Sequence, residues 1–204
     1  MIRLLLADDQ ALVRGALAAL LDLEADLEVV AQVGRGDEVV DAARASGAEV
    51  CLLDIEMPGL NGIDAAAAVR RELPGVRSLV VTTFGRPGYV RRAIEAGASG
   101  FVVKDTPARQ LADAVRRVHA GLRVIDPDLA AESLIDGPSP LTGRERELLT
   151  HALDGSPVST IADIAVQLGL SEGTVRNHLS AAIGKTGART RAEAVRLADE
   201  AGWL

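Results

Sequence analysis

The chain has 204 residues, 48% of them hydrophobic and only 2% aromatic, with a formal net charge of −7. That hydrophobic content excludes a disordered chain, and the length allows two small domains whose cores must be built from Leu, Val, Ile and Ala. The negative charge argues against a protein that coats nucleic acid indiscriminately, although a local basic face remains compatible with it. A single cysteine, Cys51, lies in the apolar run Val50–Leu53 and is expected to be a packed core residue, since no Cys/His cluster has zinc spacing. The residues after Met1 lack the pattern of a secretory leader, and no uncharged apolar stretch approaches the roughly 18 residues of a membrane span. A cytoplasmic protein without membrane insertion is expected.

Five short apolar runs lead the chain: Ile2–Ala7, Leu27–Val33, Glu49–Leu53, Ser78–Thr82 and Gly100–Val103. Their length and their Val and Leu content predict buried parallel strands. Between and after them run helical stripes: Leu12, Ala16, Leu20 and Leu23; Val39, Val40 and Ala43; Ile63, Ala67 and Val69; Val90, Ile94 and Ala98; and Leu111, Ala114, Val115 and Val118. Alternation of five strands with five helices predicts an α/β domain over residues 1–120, a doubly wound five-stranded parallel sheet of flavodoxin-like type. Residues 121–139, with Pro127, Pro138, Asp126, Asp128 and Asp136, read as a linker with one short helix near Leu129–Leu134. Residues 140–204 have no strand-like run and read as a small all-α domain. Helices are expected near Gly143–Leu153, Thr160–Leu168, Glu172–Ile183 and Arg191–Ala201.

Ligands of doubly wound sheets bind beyond the carboxyl ends of the strands. Those ends carry Asp8 and Asp9, then Asp54, then Thr82 and Thr83, then Lys104. Clustered carboxylates repel, and a hard divalent cation such as Mg²⁺ relieves the repulsion while also taking phosphate oxygens. Asp54 is then placed as a nucleophile toward phosphorus, with Lys104 and Thr82 offsetting charge on the transferred oxygens. Solvated loop charges would explain any one of these residues. They do not explain five on four strand ends.

Asp8-Asp9, Asp54 followed by Glu56-Met57-Pro58-Gly59, Thr82 and Lys104 resemble the receiver domain of two-component response regulators. The resemblance implies that Asp54 is the phosphoacceptor and that Mg²⁺ is held by Asp9, Asp54 and the backbone carbonyl of Glu56, with Asp8 acting through water. It implies a sensor histidine kinase as donor, and it places Phe101 at the family's aromatic switch position, where simple core packing is the alternative. Phe84, two residues after Thr82, is expected to overhang the phosphoryl group and slow its hydrolysis.

In the last third, Thr142 and Glu145 have capping-box spacing, and Gly169 and Ser171 separate two helical stretches in a helix-turn-helix pattern. On the second stretch Val175 and Leu179 should face inward, leaving Thr174, Arg176, Asn177 and Ser180 outward. Arg and Asn are the side chains that make paired contacts to guanine and adenine. From Gly173 to Arg191 the charges are Arg176, Lys185, Arg189 and Arg191, with no acid among them. Leu141-Thr142-x-Arg144-Glu145, Ile164-Ala165-x-x-Leu168-x-Leu170-Ser171 and Thr174-Val175-Arg176-Asn177-His178 resemble the LuxR-type DNA-binding domain.

Receiver plus this domain resembles the NarL/FixJ class of response regulators. Thr83–Tyr89 and the Gly202-Trp203 ending are similar to the type that senses membrane fluidity and controls desaturase genes. The class implies double-stranded DNA as partner, DNA contact by Thr174, Arg176, Asn177, His178, Ser180 and Lys185, and a homodimer formed on phosphorylation. It implies no enzyme beyond Mg²⁺-dependent self-phosphorylation and dephosphorylation. Two departures stand out: extra residues at Ser156–Ser159, and Gly184 and Thr186 where the class has a basic residue and Leu. Glycine weakens a helix by roughly 1 kcal/mol, so the recognition helix is expected to fray at its end. Two other functions use the same residues differently: a phosphotransfer or interaction module that does not bind DNA, and an aspartyl-phosphate phosphatase. The phosphatase would place its acids two residues apart on the first strand, whereas Asp8 and Asp9 are adjacent.

Overall fold

In the computed structural model, residues 1–83, 87–126, 139–153 and 160–204 are described. Contacts group the chain into two units, Met1–Ser133 and Leu134–Leu204. The helix expected near Leu129–Leu134, the segment Ser156–Ser159 and Phe84 lie outside the described residues. Among the described residues no helix is long and apolar enough to cross a membrane.

The first unit is a wholly parallel sheet with strand order β2-β1-β3-β4-β5-β6. Its strands are β1 (Ile2–Ala7), β2 (Leu27–Val33), β3 (Val50–Asp54), β4 (Arg77–Thr82), β5 (Gly100–Val103) and β6 (Val124–Ile125). The helices are α1 (Ala11–Leu21), α2 (Val39–Ser46), α3 (Gly62–Glu72), α4 (Pro87–Ala96) and α5 (Ala108–His119). Side chains alternate across the sheet, so each strand feeds two cores. Leu5, Ala7, Cys51, Leu53, Val80 and Phe101 pack on the face covered by α2, α3 and α4. Leu4, Leu6, Leu52, Leu79, Val81 and Val102 pack on the face covered by α1 and α5. Cys51 is fully buried, and burial pushes its thiol up to about 12, so it is the unreactive core residue the sequence predicts.

Two expectations are corrected. The sheet has six strands, not five: Val124 and Ile125 pair with Gly100 and Phe101 at the edge. Two residues carry no periodicity to read, and their strand state comes only from the neighbour they pair with. Secondly, the stripe Leu12, Ala16, Leu20 and Leu23 faces outward. Leu12 is 86% exposed and Leu23 80%, while Ala18 and Leu21 are buried with Leu17 packed beside them. The sequence ALVRGALAALL is apolar around most of its circumference. Its own period therefore does not choose a face, and the sheet does.

Glycine matters most at Gly62, the first residue of α3. A Cβ there would collide with the carbonyl oxygen of Asp54, and the Gly62 amide donates to the Ile55 carbonyl at 3.0 Å. Overpacking of this kind costs about 1–3 kcal/mol. Gly62→Ala should lower the stability of the first unit by that amount in chemical denaturation, and displace the backbone beneath Asp54.

The described residues of the second unit form four helices: α6 (Gly143–Leu153), α7 (Ile161–Leu168), α8 (Glu172–Thr186) and α9 (Arg191–Glu200). Leu148, Leu149, Ile164, Val175, Leu179, Ala182, Ala194 and Ala198 form its core.

Candidate phosphoacceptor pocket and nucleic-acid interface

The order β2-β1-β3 reverses direction between β1 and β3, and the crevice at such a switch point is where a doubly wound sheet binds ligands. Register brings the functional side chains together there. Ala7 pairs with Leu53, so Asp8 follows beside Asp54. Asp54 pairs with Val81 and Thr82 with Val103, and the Lys104 amide then donates to the Thr82 carbonyl at 2.6 Å.

Asp8, Asp54 and Thr82 are buried, and Asp9 is exposed. Lys104 Nζ lies 2.7 Å from Asp8 Oδ2 and 3.0 Å from Asp54 Oδ2. Asp8 Oδ1 accepts from the Gln10 amide at 2.8 Å, and the Arg14 guanidinium donates to the Asp8 carbonyl. Burial holds the Asp54 carboxyl above its ordinary value, with the Asp8 charge adding to the effect and Lys104 partly opposing it. Burial pushes Lys104 the other way, but its two carboxylates outweigh that and raise it overall.

One carboxylate oxygen from each of Asp8, Asp9 and Asp54 lies within 4.8 Å of the others, close enough for a shared cation. The donor set is hard oxygen throughout, which suits a divalent ion of the Mg²⁺ or Ca²⁺ kind. Asp8 Oδ2 and Lys104 Nζ are buried without a well-aligned hydrogen-bond partner, so their mutual contact is an ion pair that leaves bonding capacity over. The Glu56 carbonyl accepts no hydrogen bond from the described residues. The residues fit a cation and an oxyanion. Phe101 is fully buried, in register with Val80 and in the same cluster as Val90 and Ala93 of α4.

In the second unit, local capping shapes the helix pair. Thr160 and Asp163 form a capping box at the start of α7, and α7 ends on Gly169 in the left-handed region (φ 63°). Ser171 then caps α8 by accepting from the Thr174 amide at 3.1 Å. Val175 and Leu179 are buried beneath α8. Arg176, Asn177 and Ser180 are exposed, while Thr174 and His178 are half-buried. Thr174 Oγ1 lies 2.8 Å from Ser171 Oγ, and Arg176 donates to Glu172 at 2.8 Å one turn back.

The structure alters the reading of the end of this helix. It continues through Gly184 to Thr186, where Gly187 (φ 69°) closes it. Lys185 does not stand free on a basic face. Its Nζ donates to both carboxylate oxygens of Glu145, at 2.9 and 2.7 Å, and Glu145 is only 4% exposed. Glu145 also accepts from the Thr142 amide at 2.7 Å, as its capping-box position foretells. Burial alone would push Glu145 up, yet Lys185 and Thr142 outweigh it and hold the carboxyl below the ordinary glutamate range. Nothing in the spacing from Glu145 to Lys185 signals this partnership.

Comparison with known proteins follows the same division. Residues 4–116 match the response regulator receiver domain, and residues 139–198 match the bacterial regulatory proteins of the luxR family. Over 204 residues and the full length of both chains, the protein is 43% identical to the uncharacterized transcriptional regulatory protein YvfU of Bacillus subtilis. It is 41% identical to the transcriptional regulatory protein DesR of the same organism, again over the full length of both. The crystal structure of ChrA, a response regulator in a heme-sensing two-component system, is similar at a TM-score of 0.59 and 32% identity, covering 100% of this chain and 98% of that one. The chain therefore belongs to the response regulators that join a receiver domain to a LuxR-type DNA-binding domain and regulate transcription.

Proposed function

We propose that this protein is a cytoplasmic regulator switched by phosphorylation of Asp54, with a sensor histidine kinase as donor. The observation that carries this reading is the convergence of Asp8, Asp54, Thr82 and Lys104 on one sheet edge, with both aspartates buried and paired to the same ammonium. An Asp54 carboxylate oxygen attacks phosphorus, the phosphorus–nitrogen bond to the donor histidine breaks, and the imidazole nitrogen takes up a proton. Thr82 and Lys104 receive the phosphoryl oxygens, and Lys104 exchanges its bond to Asp54 for one to the new group. Asp9, Asp54 and the Glu56 carbonyl would hold Mg²⁺, with Asp8 acting through water. When bound, the ion offsets charge on the carboxylates and phosphoryl oxygens. Beyond its own phosphorylation and dephosphorylation the protein turns over no substrate.

Phosphorylation biases the receiver between two states, with Phe101 as the buried aromatic that reports the pocket to the α4 face. The output is a homodimer that sets two copies of α8 on spaced half-sites of double-stranded DNA. The exposed Leu12 and Leu20, with Leu23 just beyond the helix, favour α1 as a dimer surface over α4 and α5. On α8, Arg176 and Asn177 read base edges, while Thr174, His178 and Ser180 contact the backbone. Lys185 supports the helix from behind through Glu145.

Incubation with acetyl phosphate and Mg²⁺ should add one phosphoryl group, convert monomer to dimer in sedimentation, and shift a DNA fragment from the protein's own gene neighbourhood. Arg176→Ala should weaken that shift by on the order of tenfold to hundredfold, the worth of one good base contact. Absence of binding to any genomic DNA would favour a phosphotransfer module instead. The commitment of Lys185 to Glu145 and the pairing of Arg176 with Glu172 are the observations on that side.

A further inference from the structure

The amino-terminal edge of the sheet, opposite the aspartate pocket, carries a second concavity of about 340 Å³. Arg70 from the last turn of α3, Arg77 from the first position of β4 and Arg123 from the residue before β6 line it, with Ser78, Gly97 and Ser99 between them. Among the described residues no carboxylate lines it. None of the three guanidinium groups has an ion pair or side-chain hydrogen bond among the described residues. By contrast Arg35, Arg44, Arg71 and Arg116 all hold acids. Ser78 is 3% exposed, and its hydroxyl makes no hydrogen bond among the described residues.

Gly97 shapes the site. Its φ is 96°, and a Cβ there would collide with the Arg70 side chain, so only glycine lets Arg70 cross the end of α4. The carboxyl ends of α3, α4 and α5 also lie at this edge, and their partial negative charge attracts cations. That field acts through space on all three arginines alike, in a helix or not, so a bound anion needs guanidinium charge beyond what offsets it.

We propose that this concavity is a binding site for a small phosphate-bearing anion, either a free oligophosphate or the phosphate end of a nucleotide. Guanidinium groups present paired donors that match phosphate oxygens two at a time, and Ser78 adds a hydroxyl donor. The volume lies within the range of small-molecule sites. The ligand would tie β4 to the segment entering β6, and nothing in the proposal depends on Asp54.

The test is a titration of the isotope-labelled full chain with pyrophosphate, in EDTA and at low salt, followed by amide NMR. Saturable shifts at Gly97, Ser99, Gly121 and Arg123 are expected, with half-saturation below about 1 mM. Asp9, Asp54 and Lys104 should stay unmoved. The double variant Arg77→Ala, Arg123→Ala should weaken binding at least tenfold while labelling of Asp54 by acetyl phosphate is unchanged. If that variant does not fold, Arg70→Gln serves for the same comparison. A nucleoside diphosphate binding at least tenfold more tightly than pyrophosphate identifies a nucleotide, and equal binding identifies the phosphate alone. Shifts that do not saturate, that persist undiminished in the variant, or that fall on Lys104 instead would overturn the proposal.

Discussion

Asp54→Asn is expected to abolish phosphoryl uptake from acetyl phosphate and, in the absence of metal, to make the receiver unit more stable. The first effect follows from chemistry: an amide keeps the shape of the side chain but not the nucleophilic oxygen. Labelling should fall to background, measured as intact mass after incubation. The second effect follows from burial. Asp54 lies beside Asp8 with a single ammonium between them, and its carboxyl is held above its ordinary value. The folded state thus holds a proton more readily than the unfolded one. Stability is then lost as pH rises from the ordinary aspartate value of 3.8 through the raised one, and neutral pH bears the whole loss. Asparagine removes it, so the variant should unfold at a higher denaturant concentration in EDTA. A lower midpoint would mean that the bond to Lys104 outweighs burial. Mg²⁺ should reverse the order, since a ligand at a hundredfold excess over its Kd stabilises by about 2.7 kcal/mol. That gain should be smaller in Asp54→Asn, which offers the ion one charge fewer.

Lys185→Ala should destabilise the second unit by about 3 kcal/mol, the lower end of the cost of leaving a buried charge unpaired, because Lys185 itself is partly exposed. Glu145 would keep only the Thr142 amide. The paired variant Glu145→Gln, Lys185→Met should lose much less, because it removes both charges together. The pH dependence provides a further check. Glu145 is held below the ordinary glutamate value of 4.5, so the pair contributes stability above that value and loses it as pH falls through the lower folded one. In Lys185→Ala only the Thr142 hydrogen bonds oppose burial, and this acid-side loss should shrink. Weaker DNA binding by the variant has two separable origins. Loss of a phosphate contact reduces the salt slope by about 0.9. Loss of a support behind α8 lowers affinity and leaves the slope unchanged, which is the expected result.

These two sites differ in how far the sequence disclosed them. Asp8, Asp9, Asp54, Thr82 and Lys104 were legible because strand ends of a parallel sheet share one edge, and five hydrophobic runs located those ends to within a residue. The caps at Thr142 and Ser171 were legible because capping is a contact across three residues. The partnership of Lys185 with Glu145 spans 40 positions and has no periodic trace. For the same reason Lys185 reads in sequence as part of a basic face.

Local pattern by itself determined the alternation of strands and helices, the acids at the strand ends and the capped helix pair, since each depends on neighbours one to four residues away. Only the tertiary structure decided which face of α1 is buried, that Val124 and Ile125 join the sheet, that Lys185 turns to Glu145, and that Arg70, Arg77 and Arg123 share a concavity. Each of these is a choice among faces or partners that local propensity leaves nearly equal in energy. Packing against distant elements breaks the tie.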